Sequence, residues 1–217
     1  MSGERVKIIK VLLADDHILI RAGLKALLEE KSDIHVVDEA SNGVEAVSSF
    51  IKHKPDVVIL DISMPVMDGL ETCKQLKKID SEAKILILSV YNEQQYATRA
   101  LVSGASGYIN KQASQEELYK AIRCVADGQF YLAEGNKDVI LSKLLHMKGQ
   151  HDLIDTLSDR ELQVLRLLSQ GKGIKEIASY LGLSIKTIDN YRYRVMTKLN
   201  LNRTVDLVIF AHNHNIN

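Results

Sequence analysis

The chain has 217 residues, 46% apolar and 26% charged, an ordinary globular balance for one or two domains that excludes disorder and low-complexity architecture. Its 28 basic and 28 acidic residues cancel, but the tail from Thr156 onward holds nine basic against five acidic, leaving 19 against 23 in front of it. An acidic front before a basic tail suggests a polyanion partner for the tail, and two cysteines, Cys73 and Cys124, exclude a disulfide framework or a zinc spacing.

The first apolar run, Ile8 to Ala14, is too short for a signal-peptide core or a membrane span. A reduced, cytoplasmic protein with no membrane partner is therefore expected. Further runs follow at His35 to Ala40, Asp56 to Leu60, Lys84 to Ser89 and Gly107 to Asn110. Between them apolar residues recur every three or four positions, as in Ile20, Leu24 and Leu27 or Leu118, Ile122 and Val125, the spacing of one helix face. Five strand–helix alternations predict an α/β domain over residues 7–130: a doubly wound five-stranded parallel sheet with helices on both faces. The nearly continuous apolar strands fit a sheet buried on both sides.

The pattern changes near Phe130. Residues 131–155 read as a linker that includes a helix from Asp138 to His146 and a polar stretch. Residues 156–217 show no strand period. There Ser158-Asp159-Arg160-Glu161 forms a capping box, opening a helix that runs to Ser169 and stops at Gly171. A second helix runs from Ile174 to Leu181 and stops at Gly182, a third from Ser184 to Leu199, and a fourth starts at Thr204. The tail is thus a small all-α domain of four helices.

Polar residues of complementary chemistry fall at the carboxyl ends of the parallel strands, where open α/β sheets build their sites. Asp15 and Asp16 end the first strand, Asp61 the third and Ser89 the fourth, and Lys111 follows the fifth. Crowded carboxylates must take up protons or bind a cation, and an all-oxygen set with room for water suits Mg²⁺. With the cluster neutralised, Asp61 can attack a phosphoryl group, Lys111 can pair with the arriving charge, and Ser89 can donate to a phosphoryl oxygen. Singly, such an Asp is a helix cap and such a Lys a solvated charge; together on four strand ends they make a site.

LLADDH, VVILDISMPVMDG, ILILS and GYINK, in this order, resemble the receiver domain of two-component response regulators, over Lys7 to Gly128. The resemblance implies a CheY- or flavodoxin-like fold. It makes Asp61 the phosphoacceptor, with a sensor histidine kinase's phosphohistidine or a small phosphodonor as source. It makes Asp16 and Asp61 direct Mg²⁺ ligands, Asp15 a ligand largely through water, and the backbone carbonyl of Ser63 the last protein ligand. Ser89 becomes the switch hydroxyl, Tyr108 the aromatic ring that follows it, and Lys111 the phosphate partner, while Pro65 and Gly69 match the loop that shapes the site. One departure is Gln112, where many receivers carry proline. No enzymatic activity beyond slow loss of the protein's own phosphate is expected. The alternative, an aspartyl phosphatase similar to haloacid-dehalogenase-like hydrolases, needs a second Asp two residues after the nucleophile, and Ser63 stands there.

In the tail, the second and third helices with the turn at Gly182-Leu183-Ser184 form a helix-turn-helix hypothesis. Ile177, Leu181, Leu183, Ile188, Val195 and Leu199 are the expected core, and Lys186, Asp189, Asn190, Tyr193, Arg194 and Thr197 the outward face. Arg192, Lys198 and Arg203 are expected to contact phosphates, and Asn190 is placed to make a bidentate contact with adenine. LSDRELQVLRLLSQGKGIKEIASYLGLSIKTIDNYRYRVMTKLNL resembles the LuxR-type domain of NarL/FixJ-class regulators, over Asp155 to His212, with Gly173 to Arg192 as the helix-turn-helix. The resemblance implies double-stranded promoter DNA as partner, with contacts from Lys186, Thr187, Asn190, Arg192, Tyr193, Arg194 and Lys198. It also implies a homodimer when active and RNA polymerase as a further candidate partner. Asp189 and Tyr191 stand where most members have lysine and histidine, and an acid at 189 is expected to repel phosphates. Val205, Leu207, Val208 and Phe210 either form the dimer contact or complete the bundle core. The whole reads as a phosphorylation-controlled transcription factor; a regulator acting only through protein contacts is the other candidate.

Overall fold

The computed structural model describes residues 8–90, 94–132, 153–214 and 216. The chain divides into two compact units, residues 1–145 and 146–217. The helix expected from Asp138 to His146 lies outside the described residues.

In the first unit the strands are β1 (Ile9–Ala14), β2 (Ile34–Ala40), β3 (Val57–Asp61), β4 (Ile85–Ser89), β5 (Gly107–Asn110) and β6 (Tyr131–Leu132). All are parallel and lie in the order β2-β1-β3-β4-β5-β6. The five expected strands form as read. The sixth adds a two-residue edge: Gly107 pairs with Tyr131 and Tyr108 with Leu132. Tyr131 and Leu132, assigned to the linker by sequence, are therefore part of the sheet, because a two-residue strand has no alternation to read.

Helices α1 (Ile18–Glu29), α2 (Gly43–His53), α3 (Gly69–Ile79), α4 (Gln94–Val102) and α5 (Gln115–Ala126) alternate with the strands. Side chains fix three of their starts: Asn42, Asp68 and Ser114 accept from the amides of Glu45, Glu71 and Glu117. Strands β3 and β4 are buried at every position, as a sheet covered on both faces requires. Leu118, Ile122 and Val125 of α5 pack into that core. On α1 the core-facing stripe is Leu24, Leu27 and fully buried Leu28, whereas Ile20, expected on the same face, is 37% exposed. The helix turns its first residues outward, leaving Ile18 and Leu19 exposed as well.

The second unit opens with a 3₁₀ turn (Leu153–Thr156), followed by α6 (Asp159–Ser169), α7 (Ile174–Leu181), α8 (Ile185–Lys198) and α9 (Thr204–Asn213). The Ser158–Glu161 capping box is present in full. Gly182 ends α7 in the left-handed region, φ 63°, which glycine adopts without a Cβ penalty. Of the expected core, Ile177, Leu181, Ile188, Val195 and Leu199 are buried and Leu183 is half-buried.

Candidate functional site

The strand order reverses between β1 and β3, which opens a crevice at their carboxyl ends. Asp15 follows β1 directly and Asp61 is the last residue of β3; they are 1% and 4% exposed. Lys111 reaches across from beyond β5, placing its Nζ 2.6 Å from Asp15 Oδ2 and 3.0 Å from Asp61 Oδ1. Its backbone N–H donates to the Ser89 carbonyl at 2.7 Å, so the ends of β4 and β5 are locked together beside the crevice. Ser89 and Tyr108 are both buried. The next residue, Gln112, donates its N–H to Asn110 Oδ1 at 2.7 Å, a bond that proline could not make.

The loop between β3 and α3 is held close to the nucleophile. A Cβ on Gly69 would stand 2.1 Å from the Asp61 carbonyl oxygen, so only glycine fits. Within the loop the Pro65 carbonyl accepts from the Met67 N–H at 2.6 Å, and Val66 between them is held at φ 64°, a conformation β-branched residues rarely adopt. Asp68 then caps α3.

Charge crowding sets the protonation behaviour. Burial pushes the Asp61 carboxyl up to about 6, with Asp15 and Asp16 adding to the rise and Lys111 opposing it. Burial also raises Asp16, against the attraction of His17. Lys111 keeps its proton more tightly than usual: burial opposes the charge, but Asp61 and Asp15 outweigh it. Asp61 Oδ2, Asp16 Oδ1 and Ser63 Oγ are buried without a hydrogen-bond partner. Orphaned carboxylate oxygens in a cluster of oxygen donors are the signature expected where a hard divalent cation completes the charge balance. The residues fit such an ion.

Sequence reasoning missed two residues here. His17, the third residue of the Asp-Asp-His run, places Nδ1 3.2 Å from Asp15 Oδ1 and 2.8 Å from Asp16 Oδ1. Arg21, one turn into α1, donates from Nη1 to the Asp15 carbonyl and places Nε 3.4 Å from Glu39 Oε2. Adjacency to the acidic pair could have flagged His17, whereas nothing in the strand pattern points to Arg21.

On α8, Lys186, Asp189, Asn190, Tyr193, Arg194 and Thr197 are exposed, the face expected from the 3.6 period, and Thr187 is half-buried. Ser184 caps the helix, accepting from the Thr187 N–H, and the two hydroxyls lie 2.7 Å apart. The charges expected at phosphates each have an acidic partner within the unit. Arg192 pairs with Asp189 (Nη2–Oδ1 2.7 Å) and donates from Nη1 to Thr204 Oγ1 at 2.6 Å. Lys198 Nζ lies 2.6 Å from Glu161 Oε2 and donates to the Thr156 carbonyl at 2.9 Å. Arg203 pairs with Asp206. Asp189, expected to repel DNA, is therefore neutralised by its neighbour one turn on. In α9 Val205 and Val208 are exposed together with Ile209, Phe210 stacks on His214 at 4.0 Å, and Leu207 is buried, so this helix serves the core and still presents an apolar edge.

Residues 11–123 match the response regulator receiver domain, and residues 155–211 match bacterial regulatory proteins of the luxR family. Response regulator UvrY of Escherichia coli (strain K12) is 37% identical over 208 residues, 96% of this chain and 95% of that protein. The oxygen regulatory protein NreC of Staphylococcus carnosus is 38% identical, covering 93% of this chain and 96% of its own. Among solved structures, RcsB of Salmonella enterica serovar Typhimurium, bound to promoter rprA with the phosphomimetic BeF3-, superposes with a TM-score of 0.62 at 27% identity. That match covers 94% of this chain and 98% of RcsB.

Proposed function

The chain belongs to the two-component response regulators that join a receiver domain to a LuxR-type DNA-binding domain, and on that footing we propose that phosphorylation of Asp61 controls its binding to promoter DNA. The observation that carries the reading is the buried Asp61 carboxylate: Lys111 holds Oδ1, and Oδ2 lies without a hydrogen-bond partner among the acidic residues of the crevice. The Asp61 carboxylate attacks phosphorus through one of its oxygens as the donor's P–N or P–O bond breaks, leaving an acyl phosphate on Asp61. Lys111 already bridges Asp15 and Asp61, so its ammonium is in place to pair with the new charge.

Asp15, Asp16, Asp61 and the Ser63 carbonyl would hold Mg²⁺. Bound there, it would supply the positive charge that offsets the carboxylates and the incoming phosphoryl group. Ser89, at the end of β4 beside the Lys111 backbone, is the hydroxyl set to sense the phosphoryl oxygens, with Tyr108 responding on β5. The donor is a histidine kinase. The reading places the chain in the cytoplasm, where such a kinase presents its phosphohistidine; no helix among the described residues is long and apolar enough to cross a membrane.

The DNA-reading surface is the exposed face of α8. Lys186 and Arg194 supply phosphate contacts, Thr187, Asn190 and Tyr193 face the groove, and Arg192 and Lys198 hold that surface in place from within the unit. A second copy of the chain, meeting the edge formed by Val205, Val208 and Ile209, supplies the paired half-site reader. Intact-mass measurement after incubation with acetyl phosphate and Mg²⁺ tests the phosphoacceptor. The wild type should gain one phosphoryl group and Asp61→Asn none; equal gain by the variant would overturn the assignment.

A further inference from the structure

We infer that the acidic pocket is a mixed oxygen–nitrogen site in which His17 is a direct ligand, so that it also takes a divalent first-row transition ion such as Zn²⁺ or Mn²⁺. The inference rests on the reading above that the pocket binds a divalent cation, and extends it to a different donor and a different class of ion.

One ligand atom each from Asp15, Asp16, His17 and Asp61 can be chosen so that all four lie within 4.8 Å of one another. His17 Nδ1 stands 2.8 Å from Asp16 Oδ1 and 3.2 Å from Asp15 Oδ1. Six-coordinate bonds of about 2.1 Å set neighbouring donors about 3.0 Å apart, and tetrahedral bonds of about 2.0 Å set them about 3.3 Å apart. The approach to Asp15 Oδ1 is a hydrogen bond in the absence of an ion, and both spacings also match those of atoms sharing one ion. The short approach to Asp16 does not have hydrogen-bond geometry, since Asp16 Oδ1 is buried without a hydrogen-bond partner. Independently, Asp61, 4% exposed, brings the second orphaned carboxylate oxygen, Oδ2, to the same cluster. The His17 ring is 42% exposed, which gives an ion a route in from solvent.

The donor set decides the preference. Mg²⁺ takes oxygen and keeps its waters, so an imidazole adds little to its affinity. Mn²⁺, Co²⁺ and Zn²⁺ accept imidazole readily, with affinity rising along that series for nitrogen donors. The carboxylates are shared, so a transition ion and Mg²⁺ exclude one another and the receiver gains a second chemical input.

Metal-binding titrations on the full-length protein, with Zn²⁺ and Mg²⁺ in competition, test the inference alongside pulsed electron paramagnetic resonance of bound Mn²⁺. The wild type should bind Zn²⁺ in competition with Mg²⁺ and show nitrogen coupling on Mn²⁺. His17→Asn should lower the Zn²⁺-to-Mg²⁺ affinity ratio roughly tenfold or more, since losing even an outer-shell partner of a metal ligand costs about 10–100-fold, and should abolish the coupling. Replacing His212 and His214 together should leave the coupling intact. No nitrogen coupling in the wild type, an unchanged ratio in His17→Asn, or coupling lost only with His212 and His214 would each overturn the role of His17. Mg²⁺ binding indifferent to Asp61→Asn would instead sink the underlying reading of the pocket.

Discussion

The receiver crevice and the outward face of α8 both bring charged residues together, yet the sequence foretold them unequally. In the crevice, Asp15, Asp61 and Lys111 meet as expected: buried charges must find one another, and strand ends leave them few directions to point. On the second unit, Arg192, Lys198 and Arg203 are paired with Asp189, Glu161 and Asp206, partners that the helical period did not indicate. A long side chain on a helix surface can choose among several partners, and helical period alone says only that it faces outward. Burial makes a charge's fate readable from position, and exposure does not.

The strongest way to break this contrast is to remove Lys111. Lys111→Met leaves two buried carboxylates facing each other, and the receiver should lose roughly 2–4 kcal/mol at neutral pH in metal-free buffer. Asp61, already pushed up to about 6, limits the loss by taking a proton. Mg²⁺ should restore part of the stability. Denaturant unfolding with and without the ion measures both, and no loss in its absence would show that Lys111 does not balance the pocket.

A smaller effect is expected at Lys198. Lys198→Ala strands Glu161, which is 3% exposed, and should cost the helical unit about 1–2 kcal/mol, a discounted figure because the lysine itself is more than a third exposed. Burial opposes ionisation of Glu161, but Lys198 and the Ser158 amide and hydroxyl outweigh it and hold its carboxyl below the ordinary 4.5. Its folded value is depressed, so the stabilisation is present above about pH 4.5 and is lost as pH falls through the folded value. Acid unfolding of wild type and Lys198→Ala should therefore converge below that range; curves that stay parallel would remove Glu161 from the account.

Smallest in stability, and sharpest in sorting roles, are the exposed residues. Lys186→Ala and Arg194→Ala should leave unfolding within about 0.5 kcal/mol of wild type. Each should weaken binding on all DNA sequences and reduce the salt slope by about one. Asn190→Ala should alter sequence preference with the slope unchanged. Identical behaviour of all three on specific and random DNA would erase the division between phosphate and base contacts.

Much of the fold was legible because buried parallel strands and capped helices leave strong periodic marks. Every expected strand and all four tail helices stand where the apolar runs, Ser158, Gly182 and Ser184 placed them. What escaped has physical reasons. Strand β6 is two residues long and borrows its order from β5. Ile20 has the right spacing but lies on a first turn that faces solvent. His17 and Arg21 owe their roles to the way α1 leaves the crevice, a direction set by tertiary packing.

The most direct measurement is the affinity of the full-length protein for operator DNA with and without acetyl phosphate and Mg²⁺, in wild type and Asp61→Asn, at fixed salt. Phosphodonor should change the wild-type affinity severalfold and leave the variant where it began. The same response in both proteins, or in neither, would separate the carboxylate from DNA binding and contradict the link between the two units.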